Sequence, residues 1–450
     1  MATNDKEIRI SVQSRVTCPH CWTTFAPEET LWVAAHPELI GDPMLTGDSQ
    51  QRFLPTRFNV QGNALDIRGS VCEELSCPHC HLLIPRSLLE LPPVFISIAG
   101  TPACGKSYFL AAMTWMLRHT LPRDFLLSYS DADPQSNAIL TKYEEQQFLN
   151  SEQDQIVKLA KTEEQGDAYD LVYRDGQNVS YPRPFLFTVR PTRQHPSANK
   201  AKKVSKSLCL YDNAGESFLP GADKADSPVT RHLAQSHAVM FCFDPTQDPR
   251  FREACIGKTQ DHQVVKGKVT ARQEIVLDEI IIRIRQHANM KQTERRRQPL
   301  IVVVTKHDIW SSLLEVDALP APWKNTSGAT GLNCLDLQQI QKVSQEVRNL
   351  LMRFSPGLVA SAEEFSEQIW FVPVSATGCS PELFKQKGID KQKEIDAWGI
   401  KPRNMNPMWC EVPMLLALAQ VAGGLIPVCS QVHHSAPGHD PNHWPPRLQA

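Results

Sequence analysis

The residues best suited to chemistry form one glycine-containing segment, Gly100-Thr101-Pro102-Ala103-Cys104-Gly105-Lys106-Ser107, which fits the pattern G-x-x-x-x-G-K-S/T in full. The backbone N–H groups of such a loop, together with the N-terminus of a helix behind it, bind phosphate oxygens. The lysine reaches the β- and γ-phosphates, and the hydroxyl of the last residue ligates Mg²⁺. We therefore expect phosphate contacts from Gly100 to Tyr108, with Lys106 on the phosphates and Ser107 on the metal.

Apolar runs on both sides of this loop predict the two elements that would position it. Residues 93–99 are suited to a buried strand, and residues 108–117 to a helix. Strand, loop and helix in this order are the context in which the pattern binds phosphate. The alternatives are a chance match in a glycine turn and a degenerate loop that no longer binds nucleotide.

An Asp-x-x-Gly segment follows later in the chain, with Asp212 at the end of a strand-like run and Gly215 three residues beyond it. We expect the Asp212 carboxylate to hold Mg²⁺ through water, and the Gly215 N–H to meet the γ-phosphate, because glycine allows close backbone approach. Alone, this pattern is usually a turn. Its value depends on the preceding strand and on its order after the phosphate-binding loop.

Two further strand ends predict which base is bound. The apolar run 300–304 leads into Thr305-Lys306-His307-Asp308, at the edge where open α/β sheets bind ligands. A carboxylate at Asp308 can accept hydrogen bonds from the N1–H and N2–H₂ groups of guanine, a donor pair that adenine lacks, and the Lys306 stem can lie along the base. Ser375 and Ala376 follow another strand-like run, and the Ala376 N–H is suited to the base O6. The alternative is an ordinary strand end capped by polar residues.

One more group is needed to close a loop on Mg²⁺, and the candidate is Thr162. It lies between a helix-like stretch at 137–155 and a strand-like stretch at 169–173. The alternative interpretation is a threonine at a helix end.

Taken in this order, these segments resemble the guanine-nucleotide motifs of the Ras-like and translation-factor-related P-loop GTPases, over residues 94 to about 425. The resemblance implies an α/β fold with a mostly parallel sheet flanked by helices. It also implies GTP and GDP as ligands with Mg²⁺, and catalytic roles for Lys106, Thr162 and Glu216.

The chain departs from that family at three positions. Thr305 occupies a position where asparagine is commonest, and Ala103 one where potassium-activated members carry asparagine. Glu216 replaces the glutamine that orients water in Ras-like proteins. A carboxylate beside the γ-phosphate is electrostatically unfavourable, so the resemblance implies slow or partner-dependent hydrolysis.

Two cysteine pairs near the N-terminus share the spelling Cys-Pro-His-Cys, with thiols at Cys18, Cys21, Cys77 and Cys80. Four thiolates from two such pairs complete a tetrahedral structural zinc site. The long spacer is acceptable because closure entropy grows slowly with loop length. Cys72 and the histidines of the two pairs are lower-ranked substitute ligands. The alternatives are thiol redox chemistry, as in periplasmic oxidoreductases with the same spelling, and four unrelated buried cysteines.

The length, charge and composition of the whole chain indicate which class of protein it belongs to. Its 450 residues predict two or three domains, and a formal charge of −2 gives no general attraction to nucleic acid. No apolar run reaches the length of about 18 residues that a membrane span needs, and the N-terminus lacks a signal pattern. The other cysteines are scattered singly, and Cys209 and Cys242 lie in apolar runs, which predicts reduced core thiols of a cytoplasmic protein.

We expect a β-rich zinc-ribbon-like module at 1–90, a nucleotide domain with insertions at 91–429 and a disordered tail at 430–450. A zinc-ribbon front joined to this nucleotide domain resembles the bacterial double-GTPase type 2 family, as do the segment after Asp212 and the segment Trp398-Gly399-Ile400-Lys401-Pro402. That resemblance implies a role in bacterial conflict or antiviral defence systems, with protein partners.

Four functions therefore follow for testing. The first is a partner-regulated GTP-hydrolysing switch, and the second is a GTP-binding assembly scaffold with little hydrolysis, for which nucleotide-dependent oligomers are expected. An ATPase or nucleotide kinase is disfavoured by the Thr-Lys-x-Asp segment. A ribbon-mediated nucleic-acid binder is left open by the nearly neutral charge but has no support from it.

Overall fold

The computed structural model describes residues 12–159, 169–174, 176–212, 230–259, 261–266, 272–314, 319–326, 331–387 and 394–429. The predicted site residues Thr162, Gly215 and Glu216 lie outside these ranges. The predicted tail at 430–450 lies outside them as well.

The N-terminal region is built from very short strands around the two cysteine pairs. Four of its strands form a sheet in the order β4-β3-β5-β6, and the first two pair with each other. Isolated bridges also join Phe58 with Ala64 and Leu65 with Val71. The elements are β1 (Val16–Thr17), β2 (Thr24–Phe25), β3 (Leu31–Val33), β4 (Arg52–Phe53), β5 (Leu75–Ser76), β6 (Leu83–Ile84) and α1 (Ser87–Glu90).

The middle of the chain alternates strands and helices, as the apolar runs predict. Its first part contains β7 (Pro93–Gly100), α2 (Lys106–Phe125), β8 (Leu127–Asp131), α3 (Ala138–Phe148), β9 (Tyr169–Arg174), β10 (Gln177–Pro182), β11 (Phe185–Pro191), α4 (Ala201–Val204), β12 (Lys206–Asp212), α5 (Arg231–Gln235), β13 (Ala238–Phe243), α6 (Pro249–Cys255), α7 (His262–Lys266) and α8 (Gln273–His287). The second part contains β14 (Leu300–Val304), α9 (His307–Trp310), β15 (Trp323–Asn325), β16 (Asn333–Leu335), α10 (Leu337–Phe354), α11 (Pro356–Phe365), β17 (Ile369–Pro373), β18 (Glu382–Lys387), β19 (Glu394–Gly399) and α12 (Val412–Val421).

A seven-stranded sheet in the order β17-β14-β13-β7-β12-β11-β8 organises this region. The pairings β12–β7, β7–β13, β13–β14 and β14–β17 are parallel, and β11 is antiparallel to both of its neighbours. The mixed α/β fold with a mostly parallel sheet is therefore confirmed. Because parallel strands end at the same edge, the residues after β7, β12, β13, β14 and β17 meet there.

Burial explains why these sequences form central strands. All five residues of β14 and all six residues of β13 are buried, as expected for strands covered by helices on both faces. Helix α12 is apolar over most of its length, and Val412 through Leu418 are buried. The sheet and its helices share one large apolar core.

A second, smaller core lies between the N-terminal region and one face of the sheet. It combines cysteines and apolar residues of the N-terminal region with Phe95 on β7, Leu186 on β11 and Tyr211 on β12. The cysteine pairs are therefore packed against the strand that ends at Asp212.

Two local expectations were wrong. The helix expected at 137–155 ends at Phe148. Cys334 and Cys429 form a disulfide across 95 positions, so these two cysteines are not single. The two cysteines lie close together because Val428, next to Cys429, forms a bridge with Leu335 at the end of β16. Their separation in the sequence gives no sign of this pairing. Cys209 and Cys242 are free, buried thiols as expected.

In the part of the chain that the structure describes, no helix is long and apolar enough to cross a membrane.

Candidate nucleotide site and candidate metal centre

A cavity of about 420 Å³ lies at the edge of the sheet where the parallel strands end. Three segments that the sequence singled out line it together, although they are far apart in the chain. They contribute Pro102, Ala103, Gly105, Lys106, Ser107 and Tyr108 from the first, Thr305, Lys306 and Asp308 from the second, and Ser375 and Ala376 from the third.

The phosphate-binding loop comes directly after β7 and packs closely against the neighbouring strand β13. Gly100 has a φ of +155°, and a Cβ at this position would lie 2.6 Å from the Cys242 carbonyl oxygen. Only glycine fits there without moving the loop away from the sheet. Helix α2 begins at Lys106, so its N-terminus opens toward the cavity, as an anion site requires.

The Lys106 side chain is buried along the loop. Its Nζ donates to the Gly100 and Thr101 carbonyl oxygens, both at 3.1 Å. The ammonium group is thus held where the loop curves around the space in front of the helix.

Thr305 connects the end of β14 to the phosphate-binding loop. Its buried hydroxyl lies 3.0 Å from the Cys104 carbonyl oxygen and 3.1 Å from the Phe243 carbonyl oxygen. A hydroxyl has one proton to share between these two acceptors. Threonine at this position therefore joins the loop to β13 and β14.

Lys306 has an unusual backbone and a dense set of side-chain partners. Its φ of +58° lies in the left-handed region, which is uncommon for residues other than glycine. Its Nζ donates to Asp244 Oδ2 at 2.5 Å and to Gln263 Oε1. Asp244 is fully buried at the end of β13 and also accepts from the Thr246 N–H at 2.9 Å. These contacts hold the aliphatic stem of Lys306 along the cavity.

Asp308 and Ser375 form a direct hydrogen bond in the wall of the cavity. The Ser375 hydroxyl donates to Asp308 Oδ1 at 2.5 Å and accepts from the Gly378 N–H at 2.8 Å. Burial raises the pKa of Asp308, and the hydrogen bond from Ser375 opposes that shift. The serine therefore orients the carboxylate and favours its charged form.

Asp212 lies at the same edge of the sheet. It is the last residue of β12 and pairs in parallel register with Ile98, two residues before Gly100. The order of strands thus brings Asp212 to the edge of the sheet where helix α2 begins, with Ser107 as the second residue of that helix.

Sequence reasoning missed the far wall of the cavity, which is formed by Lys158, Leu159, His262, Trp398 and Ile400. Asp244 and Gln263, which hold Lys306, were missed too. These residues lie on short elements whose positions depend on tertiary packing. The polar residues Asp244 and Thr246 after a buried strand were the one available signal.

The four predicted cysteine ligands are brought together in the N-terminal region. The Sγ atoms of Cys18, Cys21, Cys77 and Cys80 all lie within 4.8 Å of one another. Cys18 and Cys80 are 3.7 Å apart, and Cys21 and Cys77 are 3.8 Å apart. Four thiolates in a tetrahedron at about 2.3 Å from Zn²⁺ lie about 3.8 Å from one another, so the cluster fits this ion.

The backbone around the cluster also fits a metal site. The His20 N–H lies 3.4 Å from Cys18 Sγ and the His79 N–H lies 3.4 Å from Cys77 Sγ, as expected for donors that support thiolate ligands. His20 Nε2 lies 3.0 Å from the Leu83 carbonyl oxygen, outside the cluster. Cys72 also lies outside the four-residue group found in the described part of the chain.

No family model matches the chain. A curated protein of Mycolicibacterium smegmatis, named "Putative ESX-1 scaffolding and assembly protein SaeC", is 23% identical over 385 residues, which cover 77% of this chain and 86% of that protein.

Two solved structures are similar in part. One is the GTPase-like domain of S. cerevisiae Ski7 bound to GTP, with 13% identity and a TM-score of 0.23, and the match covers 64% of this chain and 43% of that chain. The other is sup35 complexed with GDP, with 12% identity and a TM-score of 0.20, covering 64% of this chain and 38% of that chain. Likenesses this distant carry no argument about function, so any functional conclusion depends on the site itself. The resemblances to Ras-like GTPases and to the double-GTPase type 2 family stay predictions.

Proposed function

We propose that this protein binds GTP and GDP with Mg²⁺ and hydrolyses GTP as a partner-regulated switch. One observation carries the proposal: the phosphate-binding loop, the Thr305–Asp308 segment and the Ser375–Ala376 segment line a single cavity. Each segment is predicted to contact a different part of a guanine nucleotide, and the three segments follow three separate strands.

In this proposal the base is read by Asp308 and Ala376. The Asp308 carboxylate accepts from the N1–H and N2–H₂ groups of guanine, while the Ala376 N–H donates to O6. Ser375 supports this role because its hydroxyl orients Asp308 at 2.5 Å. The Lys306 stem packs along the base, held by Asp244 and Gln263.

The phosphates are bound by the loop and by Lys106. Residues from Gly100 to Tyr108, apart from Pro102, offer backbone N–H groups and a helix N-terminus, and the Lys106 ammonium group neutralises the β- and γ-phosphates. Gly215 would add its N–H at the γ-phosphate.

The proposed donor set near the phosphates suits Mg²⁺, because Ser107 offers a hydroxyl, Asp212 offers a carboxylate, and this ion prefers oxygen ligands. Ser107 and Asp212 would hold it, with Thr162 as a third ligand. When bound, Mg²⁺ would neutralise developing phosphate charge. Glu216 would lie near the attacking water, where its negative charge disfavours rapid turnover without a cationic partner group.

The cysteine cluster is proposed to hold one structural Zn²⁺, since its Sγ separations match tetrahedral thiolate coordination. Zinc there would supply folding free energy to a region whose strands are only two or three residues long. A module of this kind offers a surface for a regulatory or effector protein.

The second candidate function is a GTP-binding assembly scaffold with little hydrolysis. The name of the M. smegmatis relative, which describes scaffolding and assembly, favours it, and Glu216 is consistent with poor turnover. In that case the bound nucleotide would control the assembly of this protein with further copies of itself or with partner proteins.

Calorimetric titration of the purified chain with GTP, GDP and ATP, with and without Mg²⁺, tests the proposal. We expect GTP and GDP to bind more tightly than ATP, and Lys106→Ala to abolish this binding. Equal affinity for ATP and GTP would overturn guanine recognition.

Turnover measurements then separate switch from scaffold. A switch hydrolyses GTP slowly alone and faster at high protein concentration or with its partner, and Glu216→Ala lowers the stimulated rate. A scaffold assembles with GTP and leaves it intact under all of these conditions.

A further inference from the structure

The segment Trp398-Gly399-Ile400 is fixed tightly beside the cavity. Ile400 and Val157 exchange two backbone hydrogen bonds, each of 2.9 Å. A Cβ on Gly399 would lie 2.5 Å from the Val157 carbonyl oxygen and 2.6 Å from Ile156 Cγ2, so glycine is needed for this approach. The end of β19 is therefore held against the chain that leads to Leu159, which itself donates its N–H to Tyr108 Oη at 3.1 Å.

Trp398 is then presented as part of the cavity wall. Its ring stacks on the ring of His262, with 3.5 Å between centroids and 2° between planes. One face of the indole is thus covered by the imidazole, yet 37% of the Trp398 surface is exposed. Both residues line the cavity that contains Lys306 and Asp308.

The position of His262 places the stacked pair beside the predicted base-binding segment. The next residue on α7, Gln263, accepts from Lys306 Nζ, so α7 is tied to the Thr305–Asp308 segment. Burial lowers the pKa of His262; Asp261 opposes this shift and Lys306 adds to it. A neutral imidazole stacks on the indole without the desolvation cost of a buried charge.

We propose that the Trp398–His262 pair is an aromatic wall that stacks on the purine base of the bound nucleotide. This inference rests on the proposed function, because it requires a nucleotide in the cavity. Base–aromatic stacking tolerates any base, since every base has a π-face. The wall therefore contributes affinity for the base, whereas Asp308 selects guanine.

This division of roles predicts distinct ligand profiles. Trp398→Ala should weaken the binding of GDP and IDP by a similar factor of about 5 to 150, the range that corresponds to loss of one base–aromatic stack. Inorganic tripolyphosphate carries no base, so its affinity should not change. Trp398→Phe keeps an aromatic face and should recover most of the GDP affinity.

The matched control is Trp115→Ala. Trp115 lies on α2, is half-buried, stacks on Phe148 at 5.1 Å and does not line the cavity. We expect wild-type affinity for GDP in this variant. Circular dichroism of both alanine variants checks that the fold is retained.

Calorimetry with GDP, IDP and tripolyphosphate, together with tryptophan emission during GDP titration, tests the proposal on the full chain. The supporting result is loss of GDP and IDP affinity in Trp398→Ala alone, with a GDP-induced emission change that disappears in Trp398→Phe and remains in Trp115→Phe. Wild-type GDP affinity in Trp398→Ala, or an equal loss of tripolyphosphate affinity, would overturn the aromatic wall while leaving the proposed function intact. Failure of the wild type to bind GDP would overturn both.

Discussion

The cysteine cluster and the nucleotide cavity are built on opposite plans. The cluster takes its four thiols from two short turns of the same spelling, in a region whose strands are two or three residues long. The cavity takes its residues from the ends of strands that lie hundreds of positions apart and are buried in a large core.

The two sites therefore obtain their geometry from different sources. In the cluster, ligand spacing in the sequence sets the geometry locally, and a bound ion would stabilise the surrounding chain. In the cavity, the order of parallel strands sets the geometry, and these strands are buried in the large core. The first site should therefore depend on metal for its fold, and the second should not.

The largest expected effect comes from removing one thiol. Cys77→Ala should abolish stoichiometric zinc and unfold the N-terminal region, because apparent binding free energies for structural zinc are about 10 to 16 kcal/mol. Elemental analysis and limited proteolysis measure the two results. Cys72→Ala is the matched control, since Cys72 is buried in the same region but lies outside the cluster. A metal-free protein that resists proteolysis like the wild type would break the contrast between the two regions.

The next effect concerns base recognition in the cavity. Asp308→Ala should weaken GTP binding by about 100-fold or more relative to ATP, because two hydrogen bonds to a charged group, each worth about 1.5 to 3 kcal/mol, are lost. Calorimetry with both nucleotides gives the ratio. Zinc content should stay at the wild-type value, which serves as the internal control. An unchanged GTP-to-ATP ratio would contradict the role of Asp308.

A third effect is the pH dependence of the stability of the large core, which should not extend to the cysteine cluster. Burial raises the pKa of Glu411, at the start of α12, from 4.5 to about 7. Because the folded pKa is the higher one, its contribution to stability is complete below pH 4.5 and is lost as pH rises through about 7. The free energy of unfolding of Glu411→Gln should therefore exceed that of the wild type by up to about 3 kcal/mol at pH 8. At pH 4.5 the two free energies should differ little.

Denaturant unfolding at the two pH values measures this difference, followed by signals from the large core. An equal gain at both pH values would show that the glutamine acts by packing and not by removing a charge. Zinc release should respond to chelator and not to this substitution.

These residues also show what the sequence could predict. The run at 300–304 is apolar throughout and the run at 93–99 is apolar except for Ser97, so the sequence alone predicted a buried strand at each of these positions. The repeated Cys-Pro-His-Cys spelling likewise predicted the cluster. The far wall of the cavity could not be predicted, because His262 lies on a helix of five residues and Trp398 on a hairpin strand, and only tertiary packing brings their rings together. The Cys334–Cys429 bond escaped for the same reason.

The smallest expected effect tests whether the two regions are independent at all. Tyr211, next to Asp212 on β12, is fully buried; its hydroxyl donates to the Pro19 carbonyl oxygen at 2.6 Å and accepts from Trp22 Nε1 at 3.1 Å. Its ring also stacks on His232 of α5 at 4.8 Å. Tyr211→Phe keeps the stack but leaves the buried Pro19 carbonyl and the partly buried Trp22 N–H without this partner, which costs about 1 to 3 kcal/mol. Since coupling between sites is reciprocal, Mg²⁺-GDP should slow zinc release to a chelator in the wild type and slow it less in the variant.

Tyr129→Phe is the matched control for that measurement. Tyr129 is also buried on a strand of the sheet, but its hydroxyl has no hydrogen-bond partner in the part of the chain that the structure describes, so its removal breaks no such link. If zinc release responds equally to Mg²⁺-GDP in the wild type and both variants, the Tyr211 hydroxyl transmits nothing between the cluster and the strand of Asp212. A selective loss in Tyr211→Phe would instead mean that the two sites are built independently, while their occupancies are linked through one side chain.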